Sequence, residues 1–149
     1  MPDDHISWSS TDRSEPQVYS LTVCNHFMIA HSFRGDVFGP AQKLHGATYA
    51  VELEIQAPTL DAHGLVADIG RLESMLKTII DALNYRNLDD EPAFAGVNTT
   101  TEFLAGELWQ RARQAISAGA LEPSPPPDSM KVTLRESPTA WAAYAAPLQ

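Results

Sequence analysis

The chain has 149 residues, enough for one domain with a real core. Its formal net charge of −9, from 10 Lys and Arg against 19 Asp and Glu, argues against a nucleic-acid surface and against binding to anionic membranes. The single cysteine, Cys24, excludes an internal disulfide framework and points to a reducing cytoplasm.

The segment 1–16 is polar and acidic, with neither the basic nor the apolar region of a signal peptide, and reads as a flexible tail. A single domain is expected over 17–149, with no apolar stretch long enough to span a bilayer. Gln17 to Ala30 is rich in β-branched and aromatic residues and reads as a long strand ending at His31. Tyr19, Leu21, Val23, Phe27, Ile29 and His31 share one parity; Cys24 and His26 share the other, and Cys24 is expected to be a small buried residue. Gly35, Gly39 and Pro40 mark 33–44 as a loop. His45 opens a second strand, in which Tyr49, Val51, Leu53 and Ile55 face inward.

Asp68 is the expected cap of a helix running to about Leu83, with Ile69, Leu72, Leu76, Ile79, Ile80 and Leu83 as its apolar stripe. The segment 84–97 reads as a loop with a solvated acidic run, Asp89-Asp90-Glu91. Thr99 with Glu102 three residues on has the capping-box spacing, so a second helix is expected to open there, with Phe103, Leu108, Trp109 and Ile116 in the core and Gly119 just past its end. A proline-rich connector precedes an alternating strand from Met130 to Glu136, and a last strand is expected over about 140–145. The order β-β-α-α-β-β indicates an α+β fold: a four-stranded antiparallel sheet with two helices on one face. Such a sheet leaves two open edges, and joining sheets into a barrel on oligomerisation would pair them.

Three positions suggest a site. His31 ends the first strand, His45 begins the second, and position 47 shares a face with His45. A metal site with one histidine from the first strand and two from the second would be natural here, but Ala47 removes the third ligand. Two readings stand for His31 and His45: an incomplete metal site completed by Asp36, Glu136 or a neighbouring subunit, or a metal-free pair acting as acid/base or hydrogen-bonding groups. His26 is the poorer substitute, since its parity differs from that of His31. Glu136 shares parity with Met130, Val132 and Leu134, where an unpaired carboxylate is costly to bury. It is read either as a solvated or ion-paired residue or as the acceptor for two N–H groups of a ligand edge. Thr100 and Thr101, beside the helix start, are candidate binding residues through the exposed N–H groups there. Tyr85 is either a proton donor or an ordinary packing aromatic.

These landmarks together resemble the 6-pyruvoyl-tetrahydropterin synthase and 6-carboxytetrahydropterin synthase family of the tunnelling fold. The resemblance rests on Phe27-Met28-Ile29-Ala30-His31, Leu44-His45-Gly46, Gly64 to Ile69 with Leu72, Leu83 to Asp89, Thr99-Thr100-Thr101-Glu102 and Arg135-Glu136-Ser137, and it covers roughly Val18 to Tyr144. It implies a homo-oligomer, a trimer or a hexamer of two stacked trimers, each trimer closing a barrel and holding its active sites between subunits. It implies zinc on three histidines, two of them matched by His31 and His45, with Ala47 at the third. It implies a catalytic cysteine in the loop before His45, where 34–44 has none, and an Asp-His pair where Asn84 and Tyr85 stand. It also implies that Glu136 anchors a pterin. Three functions follow: a divergent enzyme performing lyase- or cyclase-type acid–base chemistry on a pterin-like or other small molecule, a non-catalytic binding or scaffold subunit, or an ordinary zinc-dependent tetrahydropterin synthase.

Overall fold

The structure, a computed structural model, describes residues 17–149, so the tail expected over 1–16 lies outside the described residues. Two long strands form its spine. Strand β1 (Tyr19–His31) and strand β2 (His45–Ala57) run antiparallel in unbroken register, from Tyr19 opposite Ala57 to His31 opposite His45. Their apolar residues alternate as read from the sequence, so Val23, Phe27, Ile29, Tyr49, Val51, Leu53 and Ile55 all reach the core.

The four expected strands are present, and a short fifth joins them. Strand β3 (Arg86–Asn87) lies parallel to Ile29 and Ala30; β4 (Ser129–Ser137) pairs with β2, and β5 (Ala140–Pro147) pairs with β4, giving the order β3-β1-β2-β4-β5. Strand β3 belongs to a segment read as plain loop, because two residues are too few to show a period. Tertiary contacts hold it: the Tyr85 N–H donates to the Met28 carbonyl at 2.6 Å, and the Met28 N–H donates to the Asn84 side-chain oxygen at 2.9 Å.

Helices α1 (Ile69–Asp81) and α2 (Thr101–Ser117) pack on one face of the sheet. Asp68 caps α1 as expected, accepting from the Arg71 N–H at 2.9 Å. Ile69 is half exposed rather than part of the buried stripe, while Leu72, Met75, Leu76, Ile79 and Ile80 are buried. The start of α2 is displaced by one residue from the expected cap. Thr100, not Thr99, accepts from the Phe103 N–H, at 3.1 Å, because the Thr99 side chain is buried and bonded elsewhere. At the far end Ala118 is the C-cap, and Gly119 follows at φ +96°, a left-handed conformation that favours glycine. Trp109 locks α2 to the sheet by donating its indole N–H to the Met130 carbonyl at 2.8 Å.

On the other face, the described chain places no helix over the sheet. Cys24 is exposed there, contrary to the expectation of burial. Among the described residues, no helix is long and apolar enough to cross a membrane. Replacing Thr100 by Ala should lower stability by about 1 kcal/mol through loss of the α2 cap, read as a shift in the urea midpoint at fixed protein concentration.

Candidate active site

One end of the sheet collects the ends of four strands and the start of α2. There β1 finishes at His31, β2 begins at His45, β4 finishes near Glu136 and β5 begins at Ala140. Between them lies a cleft of about 660 Å³. Of the residues singled out in the sequence, His31, His45, Ala47, Thr100, Thr101 and Glu136 all line it. Tyr85 does not: it is 80% exposed on the segment leading to β3, with its backbone at φ 62°. Within one chain it neither lines the cleft nor packs in the core.

The register sets the two histidines directly opposite each other, with ring centroids 4.6 Å apart and planes at 61°. Each ring is held from behind. His45 Nδ1 lies 2.8 Å from the Lys43 carbonyl, which can only accept, so Nδ1 carries a proton and, in the neutral ring, Nε2 holds the lone pair. His31 Nδ1 is 3.0 Å from the Thr99 hydroxyl, in a buried contact. Thr99 therefore positions His31 instead of capping α2. The capping-box spacing concealed this role, since no local pattern shows which side chain a buried threonine will meet 68 residues away.

The loop between β1 and β2 supplies an aromatic wall. Phe33 lies 4.6 Å from His31 and 5.6 Å from His45, centroid to centroid, and Phe38 backs Phe33 at 4.7 Å. The loop is two short 3₁₀ turns within 36–42, broken at Gly39, whose φ of +51° turns the chain. Behind it, Ser32 binds Asp89 through both its N–H and its hydroxyl, at 3.1 and 2.5 Å. Arg34 and Asn98 exchange two hydrogen bonds of 2.9 and 3.0 Å. The acidic run therefore does structural work through Asp89, and these ties bring the exit of β1 to the approach of α2, where His31 meets Thr99.

Glu136 occupies a bulge. The β4–β5 register shifts between Arg135 and Ser137, leaving Glu136 without a cross-strand partner and turned toward the cleft. Its carboxylate accepts from the Thr101 hydroxyl at 3.0 Å and belongs to none of the ion pairs among the described residues. Arg135, beside it, is already held by Glu52 at 3.1 Å. The carboxylate is thus oriented, exposed and without a cationic partner among the described residues.

Two further cleft residues were not singled out as functional. Tyr49 is buried, and burial pushes its phenol above the ordinary value, with Thr101 opposing and Glu136 and Glu102 adding to the rise. Its position was legible, since 45, 47 and 49 share one face. Trp141, on β5, became visible only through the pairing of β5 with β4.

Zinc in a catalytic site takes three protein ligands. Here two imidazoles face the cleft with Ala47 beside them, and no group of three or more His, Cys, Asp or Glu able to hold a metal ion exists among the described residues. Asp36 is not among the residues lining the cleft, and Glu136 does not complete such a group. The described donors of one chain therefore do not fit a three-ligand zinc site.

Burial holds the His31 imidazole below the ordinary histidine value, reinforced by repulsion from His45 and opposed by Thr99, Asp89 and Glu136. The folded protein thus resists a proton that the unfolded chain accepts. Its stability should fall as pH drops below about 6.5, with a slope from this residue of at most about 1.4 kcal/mol per pH unit. His31→Gln should flatten that part of the profile, measured as urea midpoints between about pH 7.5 and 5.

The 6-pyruvoyl tetrahydropterin synthase family model matches residues 20–147. A 6-pyruvoyl tetrahydrobiopterin synthase from Poecilia reticulata is 30% identical over 112 residues, spanning 68% of this chain and 74% of the relative. A 6-carboxy-5,6,7,8-tetrahydropterin synthase from Bacillus subtilis is 26% identical over 135 residues, spanning 87% of this chain and 86% of the relative. Among solved structures, the 6-pyruvoyl tetrahydropterin synthase of Caenorhabditis elegans has the same fold, with a TM-score of 0.74 at 19% identity over 87% of this chain and 96% of that one. With the model spanning nearly all of the described domain, the chain belongs to the 6-pyruvoyl tetrahydropterin synthase family.

Proposed function

We propose that the protein is a divergent enzyme of this family that binds a pterin-like small molecule by its amino-oxo edge and carries out lyase- or cyclase-type acid–base chemistry on it. One observation carries the reading: Glu136, an exposed carboxylate held by Thr101 and in none of the ion pairs among the described residues, shares a single cleft with two facing imidazoles, His31 buried and His45 partly exposed. A 2-amino-4-oxo edge offers adjacent N–H groups, and a carboxylate accepts two parallel hydrogen bonds from such an edge. Thr101 orients the carboxylate and Thr100 flanks it. The names of the relatives from Poecilia and Bacillus, both tetrahydropterin or tetrahydrobiopterin synthases, support the substrate class.

His45 is the base in this reading. Its Nδ1–H is engaged by the Lys43 carbonyl, which leaves Nε2 to take a proton from a carbon or hydroxyl of the substrate's side chain. His31, held neutral by burial, is the second proton-transfer group. The two rings are too close for both to be charged at little cost, so a proton gained by one is best passed on before the other is charged. The phenylalanine wall excludes water on that side. The chemistry proposed uses neither the cysteine nor the Asp-His pair implied by the resemblance. Asn84 and Tyr85 serve the backbone of β1 instead.

The protein acts as a homo-oligomer, a trimer or hexamer, in this proposal. The outer edge of β5 and most of the outer edge of β1 find no partner among the described residues, and paired edges from neighbouring copies would close a barrel.

Glu136→Ala should weaken binding of pterin by at least about tenfold in calorimetric titration, as expected for loss of charge-assisted hydrogen bonds; unchanged affinity sinks the anchoring role. In a substrate screen, His45→Ala should lower turnover by about 10²- to 10⁴-fold, and His31→Ala should also impair it. Binding with no turnover of any reduced or oxidised pterin tried would favour the scaffold reading. Protein purified without chelator should hold well under one zinc per protomer by elemental mass spectrometry, and Ala47→His should raise that content by restoring a third imidazole. Stoichiometric zinc in the unaltered protein would favour the ordinary zinc-dependent synthase.

A further inference from the structure

Strand β5 is almost entirely small residues, Ala-Trp-Ala-Ala-Tyr-Ala-Ala over 140–146, so its two aromatics stand out. Tyr144 is accounted for: its ring packs edge-on against Trp109 at 5.3 Å, beneath α2. Trp141 packs differently. It is 54% exposed, yet it lines the cleft between two alanines, Ala140 and Ala142, that leave its surroundings open. A large apolar side chain half exposed in a concave site is poised to exchange water for a ligand surface.

The indole is also held in place. Trp141 lies opposite Arg135 in the β4–β5 register, and the Arg135 guanidinium sits over its ring, 4.3 Å from the centroid. Glu52, on β2, fixes that guanidinium in turn at 3.1 Å. The chain Glu52–Arg135–Trp141 thus covers one face of the indole with a cation and orders the side chain before any ligand arrives. Arg135 immediately precedes Glu136, so the carboxylate and the indole are set by the same short stretch of β4.

The geometry points to Trp141 as a specificity-determining residue: an aromatic platform that stacks on the flat ring system whose edge Glu136 holds, and so favours fused bicyclic heterocycles over single rings with the same hydrogen-bonding edge. This rests on the ligand class proposed above. Glu136 reads the edge and cannot count rings, whereas a stacking surface gains with every ring atom that covers it.

Pterin and isocytosine separate the two roles, since both carry the 2-amino-4-oxo edge but only pterin is bicyclic. Each is titrated by calorimetry into the full-length assembled protein and its variants. Trp141→Ala should weaken pterin by about 5- to 150-fold while changing isocytosine far less, so that the preference for pterin falls. Trp141→Phe should retain most of that preference, and Glu136→Gln should weaken both ligands together. An unchanged preference in Trp141→Ala overturns the platform role, whether both affinities fall equally or neither moves. If Trp141→Ala fails to fold by circular dichroism, Trp141→Leu takes its place, keeping apolar bulk without an aromatic face, and full retention of the preference there overturns the proposal. Pterin binding that depends on Glu136 but not on Trp141 defeats this inference alone; absence of binding by either ligand to the unaltered protein defeats it together with the pterin reading.

Discussion

The antiparallel register of β1 and β2 is the constraint on which the rest depends. The pairing runs without a break for thirteen residues on each strand and ends with His31 facing His45. Side chains alternate with period two, so a slip of one residue would turn one strand's apolar set to solvent and carry its histidine out of the cleft. The site is therefore protected by the core. Val23, Phe27, Ile29, Tyr49, Val51, Leu53 and Ile55 resist a slip because all are buried, and the histidine pair inherits its geometry from them.

A second coupling runs through three consecutive threonines, each with a different task. Thr99 precedes the helix and reaches down to His31. Thr100 caps α2 by accepting from the Phe103 N–H. Thr101, the first helical residue, turns outward and donates to Glu136. Because the backbone changes from extended to helical across these positions, adjacent side chains diverge toward the imidazole, the helix and the carboxylate. A single helix start thus joins the two chemically distinct ends of the cleft.

The electrostatics divide the cleft in the same way. At one end, burial favours the neutral form of His31, the Phe33–Phe38 wall flanks both imidazoles, and their closeness makes simultaneous protonation costly. At the other end, Glu136 is accessible and has no ion-pair partner among the described residues, the neighbouring arginine being committed to Glu52 and Trp141. The bulge at Glu136 lets a carboxylate leave an apolar strand face without being buried, resolving the conflict between its strand parity and its charge.

What the sequence determined by itself was whatever a local period or a short-range cap can encode. The long strands, both helices, the Asp68 cap, Gly119 at the end of α2, and the shared face of His45, position 47 and Tyr49 follow from spacing alone. Strand ends alone paired His31 with His45, the family resemblance added Glu136 as a ligand anchor, and all three line one cleft. Tertiary structure alone decided which of three threonines caps α2, since burial of Thr99 against His31 outweighs a capping-box spacing. It alone tied Asp89, still exposed, to Ser32, exposed Cys24, placed Tyr85 outside the cleft and brought Trp141 into it. Each of these depends on a partner supplied by a distant segment, or on which sheet face the helices cover. A linear pattern records the period of a strand, but not the neighbour that will meet it.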